Sequence, residues 1–479
     1  MPESLNTLVL LYSDEKKLKK SRQMQGDFFR QASSVDFDNV RSCFGIALHM
    51  HQPTIPAGTN DLASAPLISN LEYMLRNPSI GDNHNASVFL SCYGRMSDFI
   101  KELVADGKNP RVMLDYSGNL LWGLQQIEQG EVIARLKDIT CQSQYHPYVE
   151  WLGTMWSHAV VSSTPVPDIK LHVQAWQHHF ASIFGYEALS RVKGFSPPEM
   201  HLPIHPDVCY EYVKVLKESG YNWLMVQEHT IEKVGGSRLG NPYLPHKLVA
   251  KNSSGQIQSI TVLIKTQGSD TKLVAQMQPF YEAQSKQREG YLNKYIPPFV
   301  LQISDGENGG VMMNEFPPMY RQVFSQIGNS EVVALGGTEY LEFLKYLGLN
   351  EEEYSAVQPI SQQRIWDRVD KLEPRAADKA IEKLRAEDKN FNLDKASWTN
   401  DRNWVSGYQD VMDPINKLSA EFHQRFDNSK IQPSSPLYQE ALLYLLLSQT
   451  SCFRYWGCGV WTDYAKEICR RGMEAISKA

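Results

Sequence analysis

From residue 44 onward, short apolar runs alternate with longer stretches of helical period. The runs are FGIALHM (Phe44–Met50), VMLDY (Val112–Tyr116), VEWLG (Val149–Gly153), VKGFS (Val192–Ser196), NWLMVQ (Asn222–Gln227), SITVLIKT (Ser259–Thr266) and FVLQIS (Phe299–Ser304). Short apolar runs with β-branched content, stopped by Gly, Pro or polar residues, predict buried strands. Between them, DIKLHVQAWQHHFASIFG predicts a helix with Pro167 and Asp168 at its start and Gly185 at its stop. HPDVCYEYVKVLKESG predicts another, ended by Gly220. Strand and helix in alternation argue for a parallel sheet, and about seven such units argue for a barrel over an open sheet.

The pattern changes near residue 350. IEKLRAEDKNF reads as a charged, solvated helix and LYQEALLYLLLSQTSCFRYW as a long buried one, with no strand of quality beyond. The organisation expected is α/β: a polar, partly helical extension over 1–40, a (β/α) barrel over 41–350 and a C-terminal helical domain over 351–479. No internal repeat or low-complexity tract is visible.

Composition adds little to this except by exclusion. The 479 residues are 42% hydrophobic and 21% charged with a net charge of −6, so no basic face for nucleic acid is expected. The ten Trp and 23 Tyr suit a neutral ligand that stacks on aromatic faces, although most such rings belong to cores. Seven Cys, odd in number and without a CxxC pair, indicate neither a disulfide framework nor a zinc knuckle. The N-terminal apolar run, Leu8 to Leu11, is far shorter than a signal-peptide core, and its basic cluster, Lys16 to Lys20, follows it. No stretch approaches the ~18 apolar residues of a membrane span. A cytoplasmic protein without membrane or nucleic-acid partners is the expectation.

Reactive groups in a parallel barrel belong at the carboxyl ends of strands. Four segments meet that condition: HMHQP after the first strand, TMWSH ending at His158, PPEMH carrying Glu199, and DGENGG beginning at Asp305. Each also has a plainer reading. His49 and His51 fit two core histidines or a metal pair; the PPE turn fits a helix-capping Glu; DGENGG fits a cation loop or a Gly-rich turn. Their shared position at strand ends favours a site. His229, in QEHT, falls at a strand end too and is a candidate to hydrogen-bond a ligand, while Glu307 lies close to Asp305 as an accessory carboxylate or a solvent-facing one.

HMHQP at 49–53, VEWLGTMWSH at 149–158, GFSPPEM at 194–200, DGENGG at 305–310 and SQTSCFRYWGCGVW at 448–461 together resemble the five ordered motifs of glycoside hydrolase family 57. The resemblance implies an incomplete (β/α)7 TIM-like barrel, a helical C-terminal domain, no required metal or cofactor, and retaining chemistry on α-linked glucans or oligosaccharides. Carried over by motif, Glu199 matches the nucleophile and Asp305 the acid/base. His49, Gln52 and His158 match polar residues lining the site, His51 is their neighbour, and Tyr455 and Trp456 match the aromatic segment of the C-terminal domain. Cys452 stands where many members carry an acid. Amylase, branching enzyme, 4-α-glucanotransferase and α-galactosidase all fall within such a family.

In double displacement a carboxylate attacks the anomeric carbon while a protonated carboxyl donates to the leaving oxygen. Retention requires the two groups about 5–5.5 Å apart, and Asp305 is expected to hold a proton in the free enzyme through burial and the Glu199 charge. Two rivals remain. One is a metal-dependent barrel hydrolase or deacetylase using His49 and His51, with His158, His229 and Asp305 as further ligands. The other is a non-catalytic carbohydrate-binding protein, against which the presence of both carboxylates counts.

Overall fold

The computed structural model describes residues 11–57, 61–266, 272–307, 315–329, 331–394, 396–399, 403–404 and 407–479. Leu8–Leu10 of the N-terminal apolar run and Asn308–Gly310 of the DGENGG motif lie outside them. Seven parallel strands form the barrel: β1 (Val40–Met50), β2 (Val112–Tyr116), β3 (Val149–Gly153), β4 (Gly194–Phe195), β5 (Trp223–Gln227), β6 (Ile257–Lys265) and β7 (Phe299–Asp305). They pair in chain order, β7 returns to β1 through seven register partners, and Lys265 opposite Leu301 closes β6 on β7. These are the seven runs read from the sequence, and β2 and β3 have the expected bounds. β4 is the shortest, two residues where VKGFS suggests five, because Pro197 and Pro198 follow at once and Pro cannot donate to a ladder.

The crossovers also follow the pattern, with one exception. Helices Ala86–Ala105 and Glu131–Cys141 serve the first two, α2 (Val166–Ser190) the third and α3 (Pro206–Glu218) the fourth. Between β5 and β6 the chain instead runs through the strand His246–Lys251, antiparallel to β6. Gly185 does not stop α2. It sits at φ 89°, ψ 162° and kinks the helix, which resumes to Ser190. Only glycine adopts that conformation without a Cβ clash, so the residue bends the helix where it was expected to end it.

Ahead of β1, α1 (Glu15–Gln23) lies against α2: Leu18 is fully buried and Arg22 Nε donates to Gln177 Oε1 at 2.7 Å. Three successive amides, Phe28 to Arg30, donate to the Glu342 carboxylate and tie this arm to the helix Gly337–Tyr346. After residue 350 the chain is largely helical, but a strand occurs there: Ala356–Pro359 pairs with His246–Lys251 and with Ile231–Lys233. The short AVQP segment has little β-propensity and is drawn into the sheet by the free edge beside it. The long C-terminal run divides as well. α5 (Pro436–Ser448), which follows α4 (Gln409–Phe426), is buried on every side from Ala441 on; the chain breaks at Gln449–Ser451 before the short α6 (Cys452–Tyr455) and α7 (Val460–Lys478). Among the described residues no helix is long and apolar enough to cross a membrane.

Candidate active site

The site grows out of one row of the sheet. His49 is the register partner of Asp305 on one side and of Asp115 on the other. Register partners in neighbouring strands project to the same face, so these three ionisable groups share the carboxyl mouth of the barrel. His49 Nδ1 lies 2.9 Å from Asp115 Oδ2, both side chains buried. Burial pulls the imidazole pKa down, yet the charge and hydrogen bond of Asp115, helped by Asp305 and Glu307, carry it up to about 9. His49 is therefore a cation at neutral pH. Asp115 was absent from the sequence-derived candidates, although an Asp inside the apolar run VMLDY was a signal that could have found it.

Three imidazoles stack from there. The His158 ring lies 4.5 Å from that of His49 at 28° and 4.4 Å from that of His51 at 22°. Burial, followed by the neighbouring imidazoles, holds His158 and His51 well below the ordinary histidine pKa, so both are neutral. His51 Nδ1 meets Ser117 Oγ at 2.7 Å, and its Nε2 faces Thr450 Oγ1 at 3.3 Å and Cys452 Sγ at 3.4 Å. His158, with φ 60°, places Nδ1 2.7 Å from Ser451 Oγ, while its buried Nε2 has no hydrogen-bond partner among the described residues. A metal needs imidazole lone pairs converging in the ring planes. Here the rings are face to face and the nitrogens of His51 are already engaged with hydroxyl and thiol groups. Among the described residues, the cluster with metal-ligand spacing is instead His205, Asp207 and Asp378, whose His205 Nε2 already bonds Asp378 at 2.9 Å.

Glu199 follows β4 on a one-turn 3-10 segment, Pro198–Met200, and is buried. Its own φ is 57° and that of Met200 is 49°, a left-handed pair without glycine. His158 Nδ1 stands 3.9 Å from Glu199 Oε1, and Trp398 Nε1 donates to Oε2 at 2.7 Å. No periodicity or spacing singles out Trp398; its place is known only from the fold.

Asp305 ends β7 and is half-buried, whereas Glu307, two residues on, is buried. Gly306 permits this close approach. Its N–H donates to the His49 carbonyl at 2.8 Å, and a Cβ there would lie 2.1 Å from Met50 Sδ. Glu307 Oε1 accepts from the His51 backbone N–H at 2.9 Å and from Tyr93 Oη at 2.8 Å. Burial, then the charge of Asp305, push the Glu307 carboxyl up to about 8, so this loop retains a proton at neutral pH. The sequence offered Glu307 either as an accessory carboxylate or as a solvent-facing one; it is buried and does not face solvent.

The remaining candidates divide. Gln52 accepts from Asn70 at 3.0 Å and hydrogen-bonds Tyr93, supporting the Glu307 pocket. His229 Nε2 bonds the Ser397 carbonyl at 2.8 Å, so it anchors C-terminal chain. Tyr455 and Trp456 lie just past the Thr450–Cys452 contact, exposed, with Trp456 against Trp461 at 4.6 Å. Burial raises the Cys452 thiol pKa, with the Glu199 charge adding to the effect, so it is a neutral group beside the carboxylates.

A closed seven-strand parallel barrel with carboxylates and imidazoles gathered at its carboxyl mouth has the architecture of a barrel enzyme. Residues 45–273 match the family model described as glycosyl hydrolase family 57, a stretch containing three of the five motifs. The fold is similar to the 4-alpha-glucanotransferase from Thermococcus litoralis, at 16% identity and TM-score 0.50, over 91% of this chain and 58% of that one. The chain thus spans little more than half the length of that protein. Further matches are the alpha-amylase AmyC from Thermotoga maritima (10% identity, TM-score 0.47, 92% of this chain and 93% of that one) and the GH57-type branching enzyme from Pyrococcus horikoshii (11%, 0.46, 91% and 88%). No curated protein sequence matches significantly.

Proposed function

We propose that the protein is a retaining glycosidase or transglycosidase acting on α-linked glucans or oligosaccharides, with Glu199 as nucleophile and Asp305 as acid/base. The observation that carries this reading is the buried, hydrogen-bonded Glu199 carboxylate at the barrel mouth, close to His158 and across from the strand end that bears Asp305. A buried carboxylate with a single-purpose donor and a strained backbone is expensive unless it is used. Asp305, half-buried, can reach a glycosidic oxygen, whereas Glu307 is held behind it by Tyr93 and the His51 amide. Burial and mutual repulsion let Asp305 and Glu307 share one proton at neutral pH, and that proton serves the leaving oxygen when it sits on Asp305. The cationic His49 stabilises negative charge on both flanks, at Asp115 and at the Asp305–Glu307 pair.

The test is Glu199→Gln, assayed on maltooligosaccharides and on nitrophenyl α-glycosides. Turnover is expected to fall roughly 10⁴-fold or more with the thermal transition intact, as for loss of other covalent nucleophiles. Azide added to Glu199→Ala with the activated substrate is expected to restore part of the activity. Unchanged turnover in Glu199→Gln would remove the assignment.

A further inference from the structure

The turn that carries Glu199 is disfavoured by its own backbone, since two consecutive side-chain-bearing residues are left-handed. From its own side it is held by Met200 N–H to the Pro197 carbonyl at 3.0 Å and His201 N–H to the Pro198 carbonyl at 3.1 Å. Further support comes from about 200 residues away. Three consecutive residues each bind a different part of the mouth. The Ala396 carbonyl accepts from Leu202 N–H at 2.9 Å, and the Ser397 carbonyl accepts from His229 Nε2 at 2.8 Å. Trp398 binds Glu199 twice, its amide donating to the Glu199 carbonyl at 3.2 Å and its indole N–H to Oε2 at 2.7 Å. The segment is itself pinned by Trp404, whose amide donates to Asp394 Oδ1 at 2.6 Å.

We infer that residues 396–398 form a strap across the barrel mouth, and that Trp398 is a positioning residue which aims the Glu199 carboxylate and favours its ionised form. The inference rests on the reading of Glu199 as nucleophile. An indole N–H is a donor only, so it stabilises a carboxylate oxygen and gives nothing to a protonated one that has turned its O–H toward it. One residue grips both the carbonyl and the carboxylate of Glu199, so backbone strain and side-chain aim are controlled together. The barrel by itself holds the turn but lacks this donor. Catalytic competence therefore depends on the C-terminal chain being docked, although that chain supplies no attacking group.

Trp398→Phe in the full chain removes the donor and keeps an aromatic ring near His49, whose ring centroid lies 6.5 Å from that of Trp398. On a nitrophenyl α-glycoside, kcat is expected to fall about ten- to a hundredfold, the worth of a hydrogen bond to a charged group. KM is expected to stay within about twofold, and the acid limb of the kcat/KM profile to move up by about one pH unit. His229→Leu, which releases the Ser397 carbonyl without touching Glu199, is expected to move the same limb in the same direction by less, and it decides the matter if Trp398→Phe does not fold. An unmoved acid limb overturns the inference, even with a lower kcat, because it makes Trp398 a packing residue only. The two failures are distinct: an active Glu199→Gln enzyme sinks the nucleophile, whereas a dead Glu199→Gln beside a wild-type profile in Trp398→Phe sinks only the strap.

Discussion

Two ion pairs flank the mouth, and they are built differently. On the barrel side His49 and Asp115 meet at 2.9 Å, with 7% and 2% of their side chains exposed. On the C-terminal side His423, on α4, meets the fully buried Asp168 of α2 at 2.6 Å and also faces Asp427, 57% exposed, at 2.9 Å. The first pair is set by register between adjacent strands. The second is set by helix packing between residues 255 apart in sequence. Asp168 is also the start of a chain inward: its Oδ2 accepts from Gln449 Nε2 at 2.6 Å, and Gln449 Oε1 accepts from His172 Nε2 at 2.7 Å. Gln449 directly precedes Thr450 to Cys452, which touch His51 and lie beside His158. The barrel thus supplies charges fixed by backbone geometry, and the helical region supplies neutral contacts whose position depends on a buried polar seam.

The largest expected effect breaks the barrel side at its acid. Asp305→Asn should lose about 10²–10⁴-fold on natural glucan, whose sugar alkoxide leaves poorly without a proton. Its first step on a glycoside with a nitrophenolate leaving group should slow much less. Glu307→Gln, which alters a group behind the mouth, should lose activity similarly on both substrates. Steady-state and burst kinetics on the two substrates separate these outcomes; the leaving-group dependence appearing in Glu307→Gln instead would transfer the acid role to Glu307.

Next comes the barrel ion pair. Asp115→Asn leaves His49 buried without its carboxylate, and breaking such a pair typically costs about 3–5 kcal/mol. The folded His49 pKa of about 9 lies above the ordinary value of about 6.5. Its contribution is therefore fully present below about pH 6.5 and disappears as the pH rises through 9. Thermal melts at pH 6 and pH 10 should show a large gap between wild type and variant at the lower pH and a smaller one at the higher. Equal gaps at both would mean that His49 is not the titrating partner.

The smallest effect sharpens the contrast at the seam. The His423 pKa is raised to about 8, first by its hydrogen bond to Asp168, against the pull of burial and with Asp427 helping. The stabilisation is again complete below about pH 6.5 and is lost as pH rises through 8, a full unit below the barrel pair. His423 is only half-buried, so screening limits the contribution to about 1 kcal/mol or less. Asp168→Asn should remove this limb and loosen Gln449. High salt should weaken the seam measurably while leaving the His49–Asp115 pair almost unaffected. Melts across pH 7–9 at low and high salt check both points.

What the sequence determined is the barrel. Seven apolar runs bounded by breakers became seven parallel strands, because burial on both faces imposes an apolar pattern that a single chain displays openly. Strand ends then located His49, His51, His158, Glu199 and Asp305, since in this architecture the carboxyl end of a strand is the mouth by construction. Periodicity failed where the local signal was outweighed. Gly185 could bend a helix as well as end it, the AVQP strand formed only because an edge was waiting for it, and the apolar run after Leu437 broke at Gln449, whose side chain is held by Asp168 and His172. Only tertiary structure decided what surrounds the carboxylates. Asp115 matters through a register that places it beside His49, Trp398 through a contact spanning about 200 residues, and the histidine charge states through the Asp115 carboxylate for His49 and through burial and neighbouring imidazoles for His51 and His158. Contacts of that kind depend on which segments meet in space, and pairwise meetings between distant segments leave no period in the chain for one sequence to reveal.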